Sequence, residues 1–384
     1  MADFIPYGKQ KISNDDIENI IEVLKSDWLT QGPKIDLFEK KISNKTNSNF
    51  SVSVNSATSA LHLSCLSLGV SSNDLVWTSP NTFVASANCA LYCGAEIDFV
   101  DIDSRTWCMS EVELEKKLQK HKLQKLKMPK VVIPVHLSGQ SCNMEVIHKL
   151  SKKFGFSIIE DASHAVGSIY KNKPVGNCFF SDITVFSFHP VKIITTGEGG
   201  AALTNNKEIY TKLKRLRSHG ITKDLNEMVN NRNGEWYYEQ IELGFNYRMS
   251  DLHAALGISQ LNQLDYFVKK RNQVSDIYKK TLNFTKIKEQ FVPEDVISSR
   301  HLYPIRVSKS ERNKLFNLLR NNNFGVNLHY LPVHLHPYYR KIGFKEGDFP
   351  EAELYSKEAI SLPIYPDLNR EDQMRIVDQI NKFF

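Results

Sequence analysis

Thr184-Val185-Phe186-Ser187-Phe188-His189-Pro190-Val191-Lys192, continued by Ile193-Ile194-Thr195-Thr196-Gly197-Glu198-Gly199-Gly200, is the stretch on which the fold reading turns. Its first half is β-branched and aromatic and reads as a short strand, and Pro190, with no N–H to donate, ends the pairing. Lys192 therefore stands just past a strand end. Alone, a lysine there is ordinarily a solvated one. A second strand end upstream changes the reading: Phe156-Ser157-Ile158-Ile159-Glu160-Asp161-Ala162-Ser163-His164 delivers Asp161 at the carboxyl end of an apolar run, where open α/β sheets bind ligands. A lysine and an aspartate at neighbouring strand ends are what a pyridoxal phosphate enzyme requires. The lysine holds the aldehyde as a Schiff base, and the aspartate keeps the ring nitrogen protonated so that the ring acts as an electron sink.

Upstream of this pair the pattern alternates. Ser13 caps a predicted helix with Ile17, Ile20, Ile21 and Leu24 on one face, which runs into the aromatic turn Asp27-Trp28-Leu29-Thr30-Gln31-Gly32-Pro33. After a second helix near 35–43, the alternating run Phe50 to Val54 enters Asn55-Ser56-Ala57-Thr58-Ser59-Ala60-Leu61. Free N–H groups at a helix start, with short hydroxyls, form a phosphate cradle without a lysine; a bare capping turn accounts for the same residues equally well. Strands are expected at Leu75–Ser79, Ala95–Val100, Val131–Leu137, Phe156–Ile159, Ile183–Phe188 and Ala201–Thr204, with helices at Thr82–Leu91 and Met144–Phe154 between them. Phe83, in the first turn of its helix, is placed to stack on a flat cofactor, or equally to fill the core. Such alternation predicts a mostly parallel sheet covered on both faces.

The 384 residues, 41% hydrophobic, suffice for a large domain and a smaller one. Six cysteines without a CxxC pair read as reduced thiols of a cytoplasmic protein. No apolar run approaches the ~18 residues of a membrane span, and Met1 to Lys11 lacks the pattern of a secretory signal. The net charge of +6 owes much to the lysine-rich segment from Lys116 to Lys130, whose Leu118, Leu123 and Leu126 suit a surface helix with a solvated basic face rather than a nucleic-acid patch. The basic balance would still attract an anionic nucleotide over long range.

Past Ala201–Thr204 come an amphipathic helix at Glu208–Ser218, an asparagine-rich loop from Asn226 to Asn233, and Gly244-Phe245-Asn246-Tyr247-Arg248-Met249 leading into a long helix with Leu252, Ala255, Leu256, Leu261 and Leu264 at core spacing. The division expected is an N-terminal arm and helix over 1–34, a large cofactor-binding domain over 35–255 and a small domain over 256–384. In the last part, His301–Val307 reads as a strand and Glu311–Asn322 as a helix. His329, His334 and His336 invite a zinc reading, but Pro332 and Pro337 break any helix and no thiol or clear carboxylate completes the set, so no metal is expected. P-loop, GxGxxG and GxSxG motifs are absent from the sequence.

Taken together, the Asp27–Pro33, Asn55–Leu61, Glu160–His164, Ser187–Lys192 and Gly244–Met249 motifs, in that order, resemble the sugar-nucleotide aminotransferases of the DegT/DnrJ/StrS family. The resemblance implies the α/β architecture of pyridoxal phosphate-dependent transferase fold type I, with a large domain built on a mostly parallel central sheet and a smaller α/β C-terminal domain. Within the family, Ile5-Pro6-Tyr7-Gly8, Leu216 to Thr222 and Trp236 to Gln240 look most like the branch serving pseudaminic acid biosynthesis. That branch moves an amino group from L-glutamate to the 4-keto position of a UDP-linked 2-acetamido-2,6-dideoxy-hexos-4-ulose.

Carried onto this sequence, the resemblance implies that Lys192 binds pyridoxal 5'-phosphate covalently and later shuttles the proton, and that Asp161 pairs with the ring nitrogen. His164 would stand near the ring hydroxyl, Ala57, Thr58 and Ser187 would hold the phosphate, and Phe83 would lie over the ring. Asn246 would reach the cofactor of a neighbouring subunit, with Arg248 beside it, making a homodimer with shared sites the minimal functional unit. Tyr7, Thr30, Arg248, His329 and Tyr330 are the candidates for substrate contact. Some members of the family are dehydratases with histidine in place of the Schiff-base lysine; the lysine here favours amino transfer with ping-pong kinetics. The competing readings are an aminotransferase for another UDP- or dTDP-keto sugar, of bacillosamine or perosamine type, and a non-catalytic binding protein on the same scaffold.

Overall fold

A computed structural model of the chain describes residues 4–230 and 234–384. The start of the N-terminal arm, 1–3, and the end of the expected Asn226–Asn233 loop, 231–233, lie outside the described residues. The chain opens with α1 (Asn14–Leu24), where the Ser13 hydroxyl accepts from the Asp16 N–H at 3.3 Å and the Asp16 carboxylate accepts from the Ser13 N–H at 2.8 Å. This reciprocal cap fixes the first turn. The apolar face predicted for α1 is there, but Ile17, Ile21 and Leu24 point outward and are exposed, while Val23 and Asp16 face the protein. The inward side is anchored by a polar contact, Gln260 Nε2 donating to Asp16 Oδ2 at 2.8 Å.

Next come α2 (Pro33–Thr46), β1 (Phe50–Val54), α3 (Ala57–Ser67), β2 (Leu75–Thr78), α4 (Ala85–Tyr92), β3 (Glu96–Phe99), α5 (Glu111–Leu123), β4 (Val131–Ile133), α6 (Met144–Phe154) and β5 (Ser157–Asp161). A small hairpin, β6 (Ile169–Tyr170) and β7 (Lys173–Pro174), precedes β8 (Ile183–Ser187), β9 (Gly200–Thr204) and α7 (Lys207–Arg217). Seven strands make the central sheet in the order β1-β9-β8-β5-β4-β2-β3. Only β9 runs against the rest of that sheet. Helices cover both faces, so the strands are buried on each side and read as near-continuous apolar runs. Because β9 is reversed, its first residue, Gly200, lies opposite the last residues of both β1 (Val54) and β8 (Ser187).

Several boundaries differ from the expectation, each for a local reason. β4 stops at Ile133 because Pro134 has no N–H; the neighbouring link is made instead by the Pro134 carbonyl, accepting from Asp161 N at 2.9 Å. α4 starts at Ala85, three residues later than expected, because the preceding turn is closed by tighter i to i+3 bonds, Ser86 N donating to the Phe83 carbonyl at 3.2 Å and Ala87 N to the Val84 carbonyl at 3.1 Å. The lysine-rich segment is helical only as far as Leu123. Lys116, Lys117, Lys127 and Lys130 each pair with a carboxylate, on Glu113, Asp98, Glu96 and Asp74, which gives the basic run a solvated, partnered surface.

A short pair, β10 (Ile221–Thr222) with β11 (Glu239–Gln240), precedes the expected long helix, which is divided at Gln263 into α8 (Asp251–Asn262) and α9 (Leu264–Thr281). Along α9 the packing changes hands. Phe267 joins the large apolar cluster under the central sheet, whereas Val274 and Tyr278 join a second cluster. That second core is built on β12 (Lys288–Glu289), β14 (Tyr303–Arg306) and β15 (Ala359–Leu362), an antiparallel sheet, with α10 (Lys309–Asn321) and α13 (Arg370–Phe383) against it; β13 (Val296–Ile297) instead pairs with β6. The stretch holding α11 (Pro337–Lys341) and α12 (Pro350–Glu358) returns Tyr339 and Tyr355 to the first cluster. We propose that the large and small bodies divide along α9.

Candidate active site

The carboxyl ends of β1, β5 and β8 open on a cavity of about 630 Å³, within the usual size of a small-molecule pocket. Lys192 is carried there by a turn: after β8 ends, the Lys192 N–H donates to the His189 carbonyl at 2.9 Å. The rest of the loop is pinned by Phe188, whose carbonyl accepts from Thr196 N and Thr195 Oγ1, both at 3.0 Å. Burial pushes the Lys192 amine down to about 8, against the opposing attraction of Asp161. Burial of an ammonium in protein costs hydration, so a share of the amine is neutral near pH 8, where an ordinary lysine is almost wholly protonated.

Asp161, the last residue of β5, is buried and accepts two hydrogen bonds: Ser86 Oγ donates to Oδ2 at 2.5 Å, and the Ser163 N–H to Oδ1 at 3.1 Å. His164, one turn further on, is buried with its Nδ1 accepting from the Ser138 N–H at 3.3 Å. That bond places the ring proton on Nε2, which lies 3.0 Å from the Tyr330 hydroxyl. Burial, then the nearby Lys192 and His329, hold His164 well below the ordinary histidine range, so it stays neutral. Tyr330 in turn is fixed by its own N–H, which donates to Asn81 Oδ1 at 3.1 Å.

On the opposite side, α3 begins at Ala57 with Ser56 as its cap, the Ser56 hydroxyl accepting from Ser59 N at 3.1 Å. The Ala57 and Thr58 N–H groups belong to the first turn and find no acceptor among the described residues, which leaves them for an anion. Gly200 is what lets the strand approach this turn: a Cβ there would fall 2.5 Å from the Ala57 nitrogen. Ser187, at the end of β8, lines the same space. Phe83 stands at the mouth 57% exposed, a ring with an unpacked face. A buried amine, a carboxylate, an unsatisfied helix start and an open aromatic face fit a phosphorylated, aldehyde-bearing heterocycle. For pyridoxal phosphate, Lys192, Asp161, His164, Ala57, Thr58, Ser187 and Phe83 are the residues that would hold it.

Of the residues singled out in the sequence, Ala57, Thr58, Phe83, Asp161, His164, Ser187, Lys192, Tyr7, His329 and Tyr330 all line this one cavity. Tyr7 and His329 face each other across 5.0 Å between ring centroids, and His329 Nδ1 lies 2.9 Å from Ser361 Oγ. Burial, then Lys192, push His329 down to about 3. Thr30, Asn246 and Arg248 are not among the lining residues. Thr30 sits in the exposed turn between α1 and α2, which is tied to the far motif by Gly32 N donating to Asp251 Oδ1 at 3.0 Å and Gln31 Nε2 to the Met249 carbonyl at 3.1 Å. Asn246 is exposed beside the end of β1, where Asn55 N donates to the Tyr247 carbonyl at 2.9 Å.

The sequence reading missed Ser86, Asn81 and Ser138, which support the site from below. Ser86 carried a usable signal: it lies one helical turn beyond Thr82, so both hydroxyls share a face. Of the three histidines weighed for zinc, two go to separate partners, His334 Nε2 lying 3.0 Å from Glu353 Oε1 and His329 turning to Ser361.

The model of the DegT/DnrJ/EryC1/StrS aminotransferase family matches residues 10–381. The chain is 38% identical to a UDP-4-amino-4,6-dideoxy-N-acetyl-beta-L-altrosamine transaminase of Campylobacter jejuni, over 98% of this chain and 96% of the relative. It is 34% identical to a GDP-perosamine synthase of Escherichia coli O157:H7, over 99% of both. Among solved structures it resembles Helicobacter pylori PseC, an aminotransferase involved in the biosynthesis of pseudoaminic acid, with a TM-score of 0.90, 31% identity and 99% of each chain covered.

Proposed function

The chain belongs to the DegT/DnrJ/EryC1/StrS aminotransferase family and is a pyridoxal phosphate-dependent sugar aminotransferase, and from that premise we propose that it moves the amino group of L-glutamate to C4 of a UDP-linked 2-acetamido-2,6-dideoxy-hexos-4-ulose, as in pseudaminic acid biosynthesis. The observation that carries the chemistry is the convergence of Lys192 and Asp161 on one cavity beside the unsatisfied start of α3. The likeness to the Campylobacter transaminase and to PseC supports the choice of sugar.

When bound, pyridoxal phosphate supplies the carbonyl that condenses with amines and the ring that delocalises the developing carbanion. The protein's part is positioning and proton transfer. Lys192, its amine lowered to about 8, would move a proton in each half-reaction, taking one from the donor's Cα in the first and delivering one to the sugar's C4 in the second. Asp161 supplies the counter-charge to a protonated ring nitrogen. His164, locked as the Nε2–H tautomer, holds Tyr330 so that the phenol proton is free to turn toward the cavity. Tyr7, His329 and Tyr330 form the wall that meets the sugar nucleotide.

The proposed working unit is a cytoplasmic homodimer in which Asn246 and Arg248 of one chain complete the site of the other and Thr30 lies at the shared entrance. In support, α1 turns Ile17, Ile21 and Leu24 to solvent next to the exposed Trp28, an apolar patch of the kind that marks interfaces. The six cysteines are unpaired, and no helix of the described residues is long and apolar enough to cross a membrane.

The test is turnover by the purified enzyme, with L-glutamate, of a panel of UDP-, dTDP- and GDP-linked 4-keto sugars. Selective amination of the UDP-linked N-acetylated sugar is expected. Turnover of a dTDP- or GDP-hexulose alone overturns the substrate assignment, and a protein that binds the cofactor through Lys192 yet aminates none of them favours the binding-protein reading.

A further inference from the structure

Asp161 does not meet the cofactor as an isolated carboxylate. Ser86 is fully buried on the first turn of α4, and its Oγ lies 2.5 Å from Asp161 Oδ2. A carboxylate has no proton to give, so Ser86 donates. Thr82 Oγ1, also buried, lies 2.8 Å from the same Ser86 oxygen. With the Ser86 proton committed to Asp161, Thr82 must be the donor of that second bond. Direction is thereby fixed along the chain: Thr82 to Ser86 to Asp161.

We propose that Thr82 and Ser86 form a buried hydroxyl relay that positions Asp161 and strengthens its hold on the protonated ring nitrogen of the cofactor. This rests on the assignment of Asp161 as the partner of that nitrogen. Three physical points support it. Donors to a carboxylate favour its charged form, and a buried carboxylate deprived of one gains nothing in return from water. Aligned hydroxyls polarise one another, so the bond to Asp161 is stronger than a lone serine would make. The two oxygens of Asp161 are also distinguished: Oδ1 is fixed by the Ser163 N–H and Oδ2 by Ser86, which holds the carboxylate plane in one orientation. Ser86 does not line the cavity, and Thr82, which does, has its hydroxyl bonded to Ser86, so both act through Asp161 as positioning residues.

The experiment compares Ser86→Ala and Thr82→Val with the parent enzyme and with Asp161→Asn. Three quantities are read: the dissociation constant of pyridoxal phosphate from quenching of protein fluorescence, the pH midpoint of the absorbance of the Lys192-bound cofactor, and the unfolding midpoint of the cofactor-free protein. Ser86→Ala is expected to weaken cofactor binding about tenfold and to move the absorbance midpoint upward by at least half a pH unit. Thr82→Val should do the same to a smaller extent, and Ser86→Thr should restore both values. If Ser86→Ala changes only the unfolding midpoint, or nothing, the relay is refuted and Ser86 is a packing residue. If it fails to fold, the Thr82→Val absorbance midpoint decides in its place. An Asp161→Asn protein with unchanged affinity and absorbance refutes the underlying assignment of Asp161 instead.

Discussion

His164 Nε2 and Tyr330 Oη lie 3.0 Å apart, joining the end of β5 to a loop 166 residues further along the chain. The bond is directional, because His164 Nδ1 already accepts from Ser138 N. Tyr330→Phe leaves a buried N–H without an acceptor, and a group so orphaned costs about 1–3 kcal/mol. Chemical denaturation of the cofactor-free protein should show a loss in that range, together with reduced turnover. Unchanged stability would mean that Nε2 carries no proton.

The lowered Lys192 amine predicts a pH dependence with a definite sign. Only the neutral amine attacks an aldehyde, so the rate at which cofactor-free protein captures pyridoxal phosphate should rise with pH, half-maximal at about 8. Asp161 opposes the shift, and Asp161→Asn should therefore move the midpoint lower. Between about pH 8 and the ordinary lysine value of 10.5, the unfolded chain holds a proton that the folded one has released. Stability of the cofactor-free protein should accordingly gain a component that rises with pH across that window, absent from Lys192→Ala. Stopped-flow absorbance and pH-dependent unfolding check the two claims; a capture midpoint near 10 would contradict the first.

Gly200→Ala is expected to damage the phosphate end of the cavity. Its Cβ would meet the Ala57 nitrogen at 2.5 Å and the Ala57 Cα at 2.7 Å, both backbone atoms that cannot swing away. Overpacking of this kind costs about 1–3 kcal/mol, and because the displaced turn is the anion site, affinity for pyridoxal phosphate should fall by tenfold or more. Equal affinity in the variant, measured by equilibrium dialysis, would remove the start of α3 from the phosphate-binding set.

The shared-site proposal is tested by complementation. Lys192→Ala and Asn246→Ala proteins, each deficient alone, are mixed after reversible dissociation. If Asn246 serves the partner's cofactor, a mixed dimer carries both lesions in one site and none in the other, so activity reappears. A mixture no more active than the sum of its components would place Asn246 in the site of its own chain.

The chemistry was legible because it is written in local signals. Pro190 marks the end of β8 and so places Lys192; the apolar run of β5 delivers Asp161; the short hydroxyl residues after β1 announce the start of α3. Period-2 and period-3.6 patterns depend on nearest neighbours, and the alternating strand-helix order that they spell predicts the sheet. Tertiary structure decided what depends on partners distant in the chain. No periodicity says that α1 turns its isoleucines outward, since that follows from which side Gln260 of α8 anchors. Nothing near Asp161 in the sequence announces Ser86, nor anything near His164 the hydroxyl of Tyr330, because hydrogen bonds across 75 and 166 residues exist only once the strand ends are gathered at one edge of the sheet. The sequence by itself determined which groups could react; the folded chain alone decided which of them meet, and with what donors beneath them.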